Sequence, residues 1–226
     1  DNEKLTSGNI EDIMVSSDGN MIVYLNEFNY EKLKGELYYI SNGESPKKVA
    51  SDVTDYQVCK GGELIYYLHE ENNLLSAVLG KEERTKISGD IEGFLVINEG
   101  DEVLFENTEG TLYINPINGE KEKIGDDLKK FDILNDGSII YLSEDAELYI
   151  KEPDKEKIAS EVQEFVMSEY DNSISYYNKD YQLYLKPVQK EAIVVIDNAR
   201  DYLYITFSDT LIFEKKLLLD DLRGKW

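Results

Sequence analysis

The chain has 226 residues, 41% of them hydrophobic and 11% aromatic, which suits a domain with a large buried core and excludes a disordered segment. Lys and Arg number 24 against 47 Asp and Glu, a formal charge of −23, and such a surface repels phosphate backbones and anionic headgroups, which excludes nucleic acid as a partner. One cysteine, Cys59, leaves no internal disulfide, and no apolar run reaches the roughly 20 residues of a membrane helix.

The first element is EKLT, Glu3 to Thr6, a lone strand. After it comes a segment that recurs in other letters along the chain: GNIEDIMV from Gly8, SDVTDYQV from Ser51, GDIEGFLV from Gly89, DDLKKFDI from Asp126, SEVQEFVM from Ser160 and DNARDYLY from Asp197. The second position is always an acid or amide, the third is apolar, and the sixth is Ile13, Tyr56, Phe94, Phe131, Phe165 or Tyr202. A turn of Gly, Asp, Asn or Ser types follows each copy. Then comes a second strand with an aromatic (Tyr24, Tyr66, Phe105, Tyr141, Tyr176, Phe213), a third run of Leu-Tyr type, and a more polar fourth such as KKVA or TKIS. In the second unit the third run is the weaker match Leu74-Leu75.

Short alternating runs between turn residues predict strands, and a repeat of this length predicts a solenoid or propeller. The final unit, through TLIFEKKLLLD, lacks a fourth strand, which Glu3 to Thr6 would supply; shutting the ring in that way removes both exposed sheet edges. The expectation is a single all-β domain over 1–226, a six-bladed β-propeller of four-stranded antiparallel blades closed by the N-terminal strand. Blades are expected at about 10–50, 54–88, 92–125, 129–160, 163–197 and 201–219 plus 3–6, with a tail at 220–226.

In this architecture the loop entering each innermost strand and the hairpin between second and third strands lie on one face, around the channel mouth. The aligned loops place Asn9, Asp52, Asp90, Asp127, Glu161 and Asn198 there, joined by Asp12, Asp55, Glu164 and Asp201 three positions further into their copies; Lys129, Lys130 and Arg200 interrupt the acidic ring. Carboxylates around a low-dielectric throat focus negative potential, so the expected partner is a protein or basic peptide. The same residue types also shape turns through their own backbone. Asn26 to Glu36 is the longest of these hairpins, and its Phe28 and Tyr30 are the candidate exposed aromatic contacts. Most of the 17 tyrosines are expected to pack between blades.

No cofactor is expected. Calcium is the one metal that carboxylates and carbonyls gathered from separate blades would suit, and with it comes the alternative of a metal-dependent hydrolase with its ion in the channel. His69 has no nucleophile motif near it, and the three arginines fall at unrelated places in the repeat. The outermost strand of blade five, AIVVI from Ala192 to Ile196, is apolar where an edge should be polar, as if a partner or the tail covered it.

LTSGNIEDIMVSSDGNMIVY, Leu5 to Tyr24, resembles the repeat of TolB-type propellers, in which a Leu-Thr strand end, a linker, a Ser-x-Asp-Gly turn and an apolar strand follow in order; Asp136-Gly137 with SIIYL repeats part of it. The chain is also similar to propeller domains of Gram-positive surface proteins. What the resemblance implies is the fold, an extracytoplasmic location and a non-enzymatic binding module of a larger surface protein. A monomer is expected.

Overall fold

The computed structural model describes residues 8–215 except 17, 60–61, 70–71, 118, 153, 169–170, 188–189, 198–201 and 208–209. Five four-stranded antiparallel meanders follow one another. The first holds β1 (Glu11–Val15), β2 (Met21–Asn29), β3 (Lys34–Ser41) and β4 (Lys47–Val53); the second β5 (Asp55–Val58), β6 (Leu64–His69), β7 (Asn73–Val78) and β8 (Arg84–Ser88). The third holds β9 (Ile91–Ile97), β10 (Glu102–Asn107), β11 (Thr111–Pro116) and β12 (Glu122–Asp126). The fourth holds β13 (Leu128–Ile133), β14 (Ile139–Ser143), β15 (Leu148–Glu152) and β16 (Asp154–Ala159), and the fifth β17 (Val162–Met167), β18 (Ile174–Asn178), β19 (Leu183–Lys186) and β20 (Ile193–Ile196). A further pair, β21 (Tyr202–Phe207) with β22 (Thr210–Lys215), completes the described strands.

Repeated four-stranded antiparallel meanders are the blades of a β-propeller, and that is the fold class of this chain. Five blades are complete among the described residues. The strands that would finish and close a sixth, at 3–6 and beyond 215, lie outside them, as does the tail. Two compact units divide the chain, Asp1–Ile124 and Gly125–Trp226.

Within each unit neighbouring blades pack face to face. Strand β6 shows why its sequence is apolar almost throughout: side chains alternate sides along a strand, so Ile65 and Tyr67 join Val23, Leu25 and Leu37 of blade one, whereas Tyr66 and Leu68 join Ile91, Val103 and Phe105 of blade three. In the second unit Ile140 and Leu142 of blade four meet Val162, Phe165 and Tyr176 of blade five in the same way. A strand buried on both faces reads as a continuous apolar run.

The register corrects one assignment. Tyr67, not Tyr66, occupies the repeated aromatic place of the second strand, because Tyr67 pairs with Tyr56 as Phe105 pairs with Phe94 and Tyr176 with Phe165. A shift of one residue turns a side chain to the opposite face, so Tyr66 points toward blade three. In blades one, three, four and five the aromatic stacks on a third-strand aromatic, Tyr24 on Tyr38, Phe105 on Tyr113, Tyr141 on Tyr149 and Tyr176 on Tyr184, with centroids 5.0 to 5.9 Å apart. Blade two has Leu75 opposite Tyr67, which explains the weaker third run there.

The hairpins between first and second strands use a local side-chain bond. The carboxylates of Asp18, Asp136 and Asp171 each accept the N–H of the residue two places on, Asn20, Ser138 and Ser173, at 3.0 Å, the Asx geometry that favours these residues in turns.

Candidate functional site

The rim is built by backbone conformation before any side chain acts. On passing from the outer strand of one blade to the inner strand of the next, the chain adopts the left-handed region at Asp52, Asp90, Asp127 and Glu161, with φ of 51°, 58°, 44° and 59°. Asp and Asn tolerate that region better than most side chains. Blade one departs from the column, with Asp12 rather than Asn9 at φ 49°. Bulges fall at the start of the inner strands, between Glu11 and Met14, Leu128 and Lys130, and Val162 and Glu164. Such bulges bend a strand and re-aim its side chains at a rim.

Backbone hydrogen bonds put the hairpin between second and third strands at the same end of its blade as the crossing loop. Thr108 N–H donates to the Asp90 carbonyl at 2.8 Å, Lys179 N–H to Glu161 at 2.9 Å and Phe28 N–H to Asn9 at 3.1 Å. The crossing loop and the hairpin of blades one, three and five are thereby tied together.

The carboxylates on these loops divide into paired and unpaired. Asp52 binds Lys34 at 2.5 Å, and that hydrogen bond holds its carboxyl below the usual carboxylate range. Glu161 binds Lys179. Glu164 binds Lys130 at 2.9 Å; the same ammonium donates to the Phe165 carbonyl at 2.8 Å and stands 4.7 Å from the Phe165 ring centroid. Asp12, Asp90 and Asp127 are exposed and make no ion pair among the described residues. Asp201 lies outside those residues.

Asp55 is the electrostatically costly member. Burial raises its pKa, and the nearby Asp12 charge raises it further against a lowering hydrogen bond from the Tyr56 N–H. A carboxyl whose folded pKa is raised takes up its proton more readily when folded, so its cost is present at neutral pH and fades as the pH falls into the ordinary carboxylate range. Asp55→Asn, which keeps the acceptor for Tyr56 N–H, is expected to raise Tm at pH 7, with the gain closing on acidification. Thermal melts across pH read this, and a gain of the same size at every pH would refute it.

Of the two aromatic candidates, Phe28 is half-buried against the core of blade one and Tyr30 is 60% exposed. Their rings meet edge to face at 5.1 Å, and the Tyr30 hydroxyl donates to Glu11 at 2.9 Å. That bond raises the Tyr30 phenol pKa. His69 ends β6. Cys59 is a buried thiol, pushed up to about 11 by burial. Among the described residues no three His, Cys, Asp or Glu side chains gather as metal ligands. The apolar outer strand of blade five is exposed at Ile193 and Val194, 55% and 49%.

Sequence reasoning found Lys130 but missed the other two neutralising lysines. Lys34 and Lys179 sit in or beside the hairpins between second and third strands, and only the placing of those hairpins over the crossing loops shows which acids they meet.

No family model and no curated protein matches the sequence. Among solved structures, the chain is similar to the C-terminal WD40 domain of Sif2, at 14% identity and a TM-score of 0.45, over 91% of this chain and 62% of that one. It is also similar to the β-propeller domain of Cps50 (Swd1) from Myceliophteria thermophila, at 10% identity and a TM-score of 0.47, over 84% of this chain and 72% of that one.

Proposed function

We propose that this chain is a non-enzymatic propeller module that binds a protein or peptide segment through its loop rim, within a larger extracytoplasmic surface protein of TolB-like ancestry. The observation that carries the reading is the blade-one rim. The Tyr30 ring is exposed and bonded to Glu11, while Asp12, the next residue of β1, is exposed and makes no ion pair among the described residues. Exposed aromatic surface with adjacent free carboxylate suits a Lys or Arg side chain, which takes the ring face and the charge together. Lys34, Lys130 and Lys179 already neutralise Asp52, Glu164 and Glu161, so those acids support the rim and leave recognition to Asp12, Asp90 and Tyr30.

The probe is a fluorescein-labelled octalysine peptide, followed by anisotropy at 150 mM salt. Asp12→Asn with Tyr30→Ser is expected to weaken binding about tenfold. Asn tolerates the left-handed backbone at position 12, so the fold is spared. Glu82→Gln with Glu83→Gln, in the hairpin between third and fourth strands on the opposite rim, changes the charge and is expected to leave affinity within twofold. Equal losses from the two pairs would mean that the peptide reads only net charge, and the rim reading would fail.

A further inference from the structure

The hairpin between the second and third strands of blade five repeats a turn found in other blades, with one residue out of place. Gly110, Ala146 and Tyr181 each donate their N–H to the carbonyl three residues back, on Asn107, Ser143 and Asn178, at 2.9 to 3.0 Å. All three lie in the left-handed region, at φ 78°, 62° and 60°, and Asn72 at 54° holds the same place in blade two, just before the pairing residue of the third strand. The longer hairpin of blade one has Leu33 at 51°. Gly or Asn is the ordinary occupant of this closing position in a three-residue loop. A ring-bearing side chain there strains the backbone, and strain of this kind gathers where a side chain serves recognition.

What the strained position presents is an aromatic face. Tyr181 is 36% exposed, and its ring lies parallel to that of Tyr177, with centroids 6.5 Å apart and planes within 6°. Tyr177 is half-buried on β18, paired with Glu164 on one side and with the fully buried Leu183 on the other, so the inner ring is anchored in the blade and the outer ring stacks on it. Blades three and four carry Glu106 with Gly110 and Leu142 with Ala146 at the same two places, so neither has such a pair. The charges beside the rings are matched: Glu161 is bound by Lys179, and Glu164 by Lys130 at 2.9 Å. The hydrogen bond to Glu161 is the main cause that raises the Lys179 pKa, and the exposed Asp180 adds to it.

We propose that the Tyr177 and Tyr181 ring pair is a binding site for a neutral carbohydrate, whose apolar C–H face stacks on the Tyr181 ring while its hydroxyls exchange hydrogen bonds with Lys179 and Asp180. A cationic side chain arriving at these rings meets the two ammonium groups already bound beside them, and an anion meets Asp180 within a chain of charge −23. A neutral ligand meets neither repulsion. A pyranose with equatorial hydroxyls carries its polar groups around its edge and bare C–H groups on its faces, which matches an aromatic surface bordered by donors and acceptors. A chain of β-1,4-linked glucose is the flattest uncharged form of that chemistry.

The test uses cellohexaose, titrated into the whole chain by calorimetry, and binding with a Kd below about 1 mM is expected. Tyr181→Phe keeps the ring and should stay within about threefold of the parent. Tyr181→Asn should weaken binding at least about tenfold while Tm holds level or rises, because Asn tolerates the left-handed backbone that Tyr strains. Asp12→Asn with Tyr30→Ser, in blade one, should leave cellohexaose affinity within about twofold, which separates this site from the peptide contact proposed above. No heat up to about 10 mM sugar, or equal affinity in the parent and Tyr181→Asn, would overturn the proposal. So would a Tm more than about 5 °C lower in Tyr181→Asn, by showing that the ring serves folding. Loss of octalysine rather than cellohexaose binding in that variant would overturn it too, by identifying a basic peptide as the occupant.

Discussion

Gly100→Ala is expected to lower stability by about 3 kcal/mol or more and Tm by about 10 °C. Gly100 closes the turn from β9 into β10 at φ +110°, a conformation open only to glycine at reasonable cost. A Cβ built there would stand 2.6 Å from both Cβ and Sγ of Cys59, which is buried at the end of β5 in the neighbouring blade. Relief by movement is blocked on the other side, where the Gly100 carbonyl receives the Tyr66 hydroxyl inside the same core. The two costs, backbone strain and overlap, separate in a double mutant. Cys59→Ala removes the sulfur and should recover part of the loss in the Gly100→Ala background, a non-additivity expected of contacting residues. A Gly100→Ala Tm within 2 °C of the parent, or strict additivity with Cys59→Ala, would show that the blades are not in this contact.

That contact was invisible in the sequence, and the reason is physical. Gly100 belongs to a Gly-Asp turn signal that any hairpin could carry, and nothing local says that the backbone of a neighbouring blade passes beneath it. The meanders, by contrast, were legible because both faces of β6, β10 and β14 are buried, which forces apolar runs of strand length, and because Asp18, Asp136 and Asp171 punctuate them with their own hydrogen bonds. The one-residue displacement at Tyr66 and Tyr67 arose where two adjacent tyrosines serve opposite faces, so residue type carried no register information. The rim was half legible. The acidic column marks the crossing loops, but its charge is read correctly only once Lys34, Lys130 and Lys179 are seen against it.

Asp90→Val combined with Asp127→Val is expected to cost about 3 kcal/mol and about 10 °C in Tm, whereas Asp90→Gly with Asp127→Gly should leave Tm within about 2 °C of the parent. Both positions are exposed, lie in the left-handed region and make no ion pair among the described residues, so the side chain contributes little to folding except through the backbone it permits. A β-branched residue clashes with its own following carbonyl at positive φ, about 1–2 kcal/mol per site, and glycine does not. The strain falls where the chain has no freedom to escape it, since the Asp90 carbonyl is fixed by Thr108 N–H at 2.8 Å. The glycine pair serves a second purpose: with the fold intact and two rim charges removed, a fall in octalysine affinity larger than that of Glu82→Gln with Glu83→Gln is attributable to recognition at the rim. Equal destabilisation by valine and glycine would mean that the carboxylates themselves hold the rim together, and the division between a backbone role for the column and a binding role for its free acids would have to be abandoned.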